Sequence, residues 1–397
     1  MNRRSFLQSS GAAAIAPWLS VNATAQTAAP HDSAFDPWVD VHPAHLAQNA
    51  ADVSRAAGNR PILAVVKNNG YGLGVVRVGE ILATLPQVRG LAVVKLHEAM
   101  TLRDAGIKAP ILLMGPFDER DLADMQARDI MPMVYTPLGA ELERVAARSG
   151  RPLRLHVCVD TGLGRVGVPY GAAPELIRDL AQRKALAIDG VMMTFTEDQE
   201  FDQEQLRRFE ALTGSLKQAG VAFGMRHAAS SYTFFQHDNA WLDMVRTGMA
   251  LYGVYPEPSF ATKGTMTLRP AGALRVRVAY VKQLAAGESA GYNRAYIAKA
   301  PVWVATLPVG HADGWPRVAA KGARVRIGKS FYPVIASVSA SHTIVEVGRE
   351  PTVRIGDVAT LWDWEPGSRP EDVATACGAS VYDLLMHLGG HLPRRVL

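Results

Sequence analysis

Only two cysteines, Cys158 and Cys377, occur in the 397 residues, and they sit far apart in sequence. A disulfide framework is therefore not expected to organise the fold. Excess charge of one sign is also scarce: 42 basic against 37 acidic residues leave a formal +5, to which Arg3 and Arg4 contribute two. No Lys/Arg run is interleaved with aromatics and no zinc-knuckle spacing occurs, so neither nucleic acid nor a bound metal is expected. No apolar run reaches the roughly 20 residues of a bilayer-spanning helix. There is no repeat of solenoid period and no low-complexity linker. What is present is 48% hydrophobic and 20% charged, the composition of an ordinary globular chain. Its length predicts two or three domains, or one large barrel with an accessory domain.

The first residues lack acids altogether: none precedes His31. They open with Asn2-Arg3-Arg4-Ser5-Phe6-Leu7, continue through an apolar stretch at 11–18, and reach Ala23-Thr24-Ala25, a small-x-small pattern before Gln26. This resembles a twin-arginine export signal over residues 1–25. The resemblance implies a chain exported folded to the periplasm, with no membrane association afterwards.

From residue 62 onward short apolar runs alternate with helix-like, charge-bearing segments. The runs fall at 62–66, 91–94, 111–114, 131–134, 153–159, 190–193, 223–227 and 243–246. Between them lie stretches such as Glu98-Ala99-Met100-Thr101-Leu102-Arg103 and Glu204-Gln205-Leu206-Arg207-Arg208-Phe209, with apolar residues at helical spacing. Strand–helix alternation implies a parallel sheet, and eight such units predict a closed (β/α)8 barrel over 36–265. After Leu268-Arg269-Pro270 the texture changes to alternation at period two, as in Leu274-Arg275-Val276-Arg277-Val278. Residues 266–397 therefore read as a second, mostly β domain closed by a helix at 381–388, and the extended Trp38-Val39-Asp40-Val41 could join it.

The segment Ala64-Val65-Val66-Lys67-Asn68-Asn69-Gly70-Tyr71-Gly72-Leu73-Gly74 places a lysine at the carboxyl end of the first barrel strand, followed by a glycine-rich turn. In a barrel, that end carries the chemistry. Lysine amines add to aldehydes once burial or neighbouring charge lowers their proton affinity, and glycines let backbone approach a ligand closely.

This segment resembles the cofactor-lysine segment of the alanine racemase family. The resemblance continues through Asp160-Thr161-Gly162-Leu163-Gly164-Arg165-Val166-Gly167, Val245-Arg246-Thr247-Gly248-Met249-Ala250-Leu251-Tyr252-Gly253, Gly291-Tyr292-Asn293 and Gly310-His311-Ala312-Asp313-Gly314, in order, from about residue 36 to the C-terminus. It implies a barrel followed by a β domain, pyridoxal 5'-phosphate as cofactor, a small amino acid as substrate, and a homodimer with shared sites. It further implies that Lys67 binds the cofactor and moves a proton on one face of the substrate, while Tyr292 works on the opposite face. Arg246 would contact the pyridine nitrogen. Tyr71, Ser231, Tyr382 and the backbone of Gly248 and Met249 would hold the phosphate, and Arg165 would lie near the substrate carboxylate. Other pyridoxal-phosphate reactions, such as aldol cleavage or decarboxylation, and a non-catalytic cofactor-binding descendant remain open on the same residues.

The sequence departs from the family where the substrate is held. Cys158 stands in place of a lysine whose carbamylated form positions the arginine, Thr194 in place of a histidine that packs on the cofactor, and Ser230 in place of an asparagine. His311 replaces an entrance tyrosine, and Ala340-Ser341-His342 replaces Met-Asp-Gln. Loss of bulk at Ala340 and added imidazoles predict a preference for a larger, polar or acidic side chain over alanine.

Overall fold

The computed structural model describes residues 34–397; the export-signal segment at 1–25 lies outside the described residues. Seven parallel strands follow one another around a curled sheet: Ile62–Val65, Val88–Val93, Ile111–Leu113, Ile130–Val134, Leu153–Asp160, Leu186–Met192 and Met225–His227. The eighth apolar run, at 243–246, closes the ring through a single bridge, Ile62 to Val245. Its hydrogen bonds are those of a parallel neighbour: Leu63 N donates to Val245 O at 2.9 Å, Val245 N to Pro61 O at 3.1 Å, and Val65 N to Thr247 O at 3.0 Å. The seventh run is shorter than its apolar sequence suggested, because Gly224 turns with φ +66° and only Met225–His227 pairs. Helices cover the outside, among them Leu96–Asp104 and the 20-residue Gln199–Gln218. Leu91, Ile111 and Val245 are fully buried, so the β-branched and leucine residues of the apolar runs form the packed wall.

Beyond the barrel a nine-stranded sheet runs in the order Tyr280–Leu284, Val302–Leu307, Thr343–Gly348, Ser330–Ile335, Arg324–Ile327, Val358–Trp362, Gly272–Arg277, Trp38–Val41, Arg394–Val396. Trp38–Val41 is antiparallel to Gly272–Arg277 and parallel to Arg394–Val396. The strand that precedes the barrel in sequence thus belongs to the later sheet. Cys158 and Cys377 are both buried and unpaired.

The helix Val381–Met386 crosses from the β-rich part onto the barrel mouth. A Cβ at Gly72 would lie 2.1 Å from Leu385 O, so only glycine permits this approach. Arg394 fastens the same place, donating from Nη2 to Gly72 O at 2.8 Å. Tyr382 is carried to the cavity on this helix.

Candidate active site

The first barrel strand ends in an unusual turn. Asn68, Asn69, Gly70 and Tyr71 all have φ between +51° and +61°, a left-handed turn immediately after Lys67. L-residues avoid this conformation, and Asn tolerates it best after Gly. Tertiary contacts hold it: Val75 N donates to Asn69 Oδ1 at 3.0 Å, and Asn69 N donates to Glu98 Oε1 at 2.8 Å. The turn directs Lys67 and Tyr71 into one cavity of about 600 Å³ at the carboxyl ends of the strands.

That cavity gathers most of the sequence-predicted site. Lys67, Tyr71, Arg165, Ser231, Arg246, Gly248, Met249 and Tyr382 all line it, as do the divergent Cys158, Thr194 and Ser230. Burial lowers the proton affinity of Lys67 first, and the charges of Arg165 and Arg246 lower it further. Tyr71 is 5% exposed and leans on Tyr252 at 4.6 Å between ring centres. Its phenol is pushed well above the ordinary range, by burial first, and stays protonated as a donor.

Arg246 is 5% exposed, and both its terminal nitrogens are engaged. Its Nη1 donates to His227 Nδ1 at 3.0 Å and to His227 O at 3.2 Å; its Nη2 donates to Met193 O at 3.0 Å and Thr194 Oγ1 at 3.3 Å. Burial pushes its pKa down to about 10, which leaves it charged at neutral pH. Because the guanidinium only donates, His227 Nδ1 must accept, and its protonated Nε2 then donates to His156 Nδ1 at 2.8 Å. Burial pushes the His156 pKa down to about 4 and that of His227 well below the ordinary value. Both imidazoles are neutral, and they fix the arginine from inside the barrel.

Another part of the cavity lining suits an anion. Ser231 Oγ accepts from Gly248 N at 3.0 Å and Ala250 N at 3.1 Å, which leaves its own proton to donate. A Cβ at Gly248 would fall 2.2 Å from Tyr71 Oη, filling a cradle that glycine keeps open. Three hydroxyls and open backbone, an amine of lowered proton affinity, and a fixed guanidinium fit the phosphate, aldehyde and ring nitrogen of pyridoxal phosphate.

Arg165 is exposed on the loop after Leu153–Asp160, which Asp160 shapes by accepting from Gly162 N at 2.9 Å and Gly164 N at 3.1 Å. Cys158 is 2% exposed and touches this loop through Sγ, 3.6 Å from Val166 O. Burial pushes its thiol up to about 11, so it supplies neither the charge nor the reach of a lysine.

Tyr292 and Ala340 are not in this cavity. Tyr292 is 75% exposed on the short turn Tyr292–Arg294 in the β-rich part. Gly291 beside it packs on Ala336, where an added Cβ would lie 2.6 Å from the Ala336 Cβ. His311 N donates to Ser339 O and Ala312 N to Ala340 O, both at 3.0 Å. Tyr292, His311 and Ala340 therefore occupy loops of the second part, separate from Lys67.

Sequence reasoning passed over His156 and His227 and also Glu197, which lines the cavity. The histidines sit on apolar strands, where one polar residue reads as an interruption. Glu197 follows the sixth strand on the reactive face of the barrel, and that position was its only signal.

Two family models match the chain in sequence order: the alanine racemase N-terminal domain over residues 41–256 and the alanine racemase C-terminal domain over 271–396. An alanine racemase of Desulforamulus reducens is 31% identical over 365 residues, covering 90% of this chain and 98% of the relative. One from Symbiobacterium thermophilum is 33% identical, covering 90% and 96%. The crystal structure of alanine racemase from D-cycloserine-producing Streptomyces lavendulae superposes with a TM-score of 0.84 at 27% identity, covering 92% of this chain and 98% of that one. The Bacillus anthracis alanine racemase with bound L-Ala-P gives 0.81 at 28% identity, covering 93% and 96%. With both domains matched over nearly the whole described chain, the protein belongs to the alanine racemase family.

Proposed function

We propose that this chain interconverts the L- and D-forms of amino acids with pyridoxal 5'-phosphate, moving the Cα proton with two opposed bases. The observation that carries the reading is the single cavity in which Lys67, Arg246, Tyr71, Ser231, Gly248 and Tyr382 converge. Lys67 would hold the cofactor's aldehyde carbon. Tyr71, Ser231, Tyr382 and the backbone at Gly248 and Met249 would hold its phosphate, with Gly248 keeping the cradle open, and Arg246 would face its ring nitrogen. When bound, the cofactor supplies an electron sink for the charge left at Cα.

The chain's own residues do the rest. Lys67 Nζ, whose proton affinity burial and two guanidinium groups lower, takes or returns the Cα proton on one face. Arg165 turns its fork to the substrate carboxylate. Arg246, charged and pinned by His227 and Met193 O, opposes protonation of the ring nitrogen, which weakens the sink and favours return of the proton to Cα. Inversion needs a base on the second face. Tyr292 is outside its own chain's cavity and 75% exposed, which supports a homodimer in which the partner subunit's Tyr292 completes the site. Ala340, on neighbouring loops, would arrive with it.

Arg3-Arg4, the apolar stretch that follows and Ala23-Thr24-Ala25 support export of the folded holoenzyme to the periplasm. Among the described residues no helix is long and apolar enough to cross a membrane.

The test is Cα exchange in deuterated water. A two-base racemase yields product of inverted configuration carrying deuterium, with exchange in each substrate enantiomer. Loss of carbon dioxide or of the side chain, without inversion, would refute the reading.

A further inference from the structure

Glu197 lines the catalytic cavity, and the proposed proton transfer gives it no task. It sits at the exposed rim with φ +69°, a left-handed conformation that a non-glycine residue keeps only when its surroundings impose it. Here they do. Glu197 N donates to Asp202 Oδ1 at 3.1 Å, Thr196 Oγ1 donates to the same oxygen at 2.9 Å, and Thr196 N donates to Gln205 Oε1 at 2.9 Å. Asp202 is fully buried and also accepts from His237 at 3.2 Å. Backbone this firmly held fixes where the Glu197 side chain starts.

The carboxylate itself has no hydrogen bond or ion pair among the described residues. Loss of hydration, then the charges of Asp202 and Glu257, hold its carboxyl above the ordinary range, against the pull of Arg165. A cation brought to this rim would relieve that repulsion. Tyr232 lines the same cavity and feels Glu197 as its largest neighbouring charge, so an aromatic ring accompanies the carboxylate. Carboxylate and ring together form a receptor for ammonium or guanidinium. Thr194, three residues earlier on the same wall, leaves room where an imidazole is expected from the family pattern.

We propose that the substrate is an amino acid with a cationic side chain, of the lysine, ornithine or arginine class, and that Glu197 is the residue that selects it. This rests on the racemase reading and replaces the expectation of a polar or acidic side chain, since an acid would meet the Glu197 carboxylate.

The holoenzyme is assayed with lysine against norleucine and arginine against citrulline, which separates charge from length, and with alanine. The same amino acids are titrated against the cofactor absorbance, which reads binding without turnover. Wild type is expected to favour the charged member of each pair at least tenfold in kcat/KM. Glu197→Gln should collapse that preference at least tenfold, chiefly through KM, and Glu197→Asp should recover part of it. No preference in wild type, or a preference that survives Glu197→Gln, overturns the proposal. A Glu197-dependent binding preference without racemisation would uphold it while refuting the racemase reading.

Discussion

A lysine amine that shares a cavity with two guanidinium groups and is largely out of water gives up its proton more readily than one on the surface. Lys67 is in that position, with burial as the larger cause, and an amine so prepared adds to an aldehyde. Borohydride reduction of the holoenzyme should therefore fix the cofactor's mass on the peptide containing Lys67. Lys67→Ala should show no such adduct and lose at least about a thousandfold in activity while keeping its thermal midpoint within a few degrees. An adduct of the same mass in the variant would place the cofactor on another lysine. At this scale the sequence was informative where a residue sat inside a distinctive string, as Lys67 does before Asn68-Asn69-Gly70-Tyr71-Gly72. It was silent on Glu197, His156 and His227. Each is unremarked among its chain neighbours, and its meaning comes from what lies across the barrel interior.

The strands themselves were legible because a parallel barrel strand is buried on both faces and leaves a short continuous apolar run. Their pairing was less so. The run at 243–246 contributes one bridge, and the left-handed turn after Lys67 is imposed by contacts with Glu98 and Val75, far away or around a corner in sequence. The strands Leu153–Asp160 and Met225–His227 also carry a consequence for stability. His156 has a pKa pushed down from 6.5 to about 4 by burial. Between those values the unfolded chain binds a proton that the folded chain refuses. The stability from this group is therefore complete above pH 6.5 and falls as the pH drops towards 4, by about 3 kcal/mol. Thermal midpoints measured from pH 7 to pH 4.5 should fall more steeply for wild type than for His156→Gln, which has no proton to take up. Parallel curves would show that the imidazole pair is not held neutral in the fold.

Taken as a whole, the chain carries two sets of chemical groups that do not meet within it. Lys67, Arg246 and the anion cradle share the barrel cavity, whereas Tyr292 stands 75% exposed on the β-rich part. Sequence order alone left this separation unseen, and only the resemblance to a dimeric family implied it, because motifs list residues without stating which copy of the chain supplies them. If two copies exchange these groups head to tail, each site takes Lys67 from one chain and Tyr292 from the other. Defects in the two residues can then complement. In a hybrid of a Lys67→Ala chain with a Tyr292→Phe chain, one site receives both defects and the other receives neither. Random reassortment of an equal mixture makes half the dimers hybrid, so about a quarter of all sites should be intact, rising to about a half if hybrids form exclusively. Each variant alone should be nearly inactive, and activity should appear only after the two are unfolded or dissociated together and reassembled. Sedimentation showing a monomer with full activity, or a mixture no more active than its parents, would mean that both bases act within one chain and that Tyr292 reaches Lys67 by a rearrangement of the β-rich part.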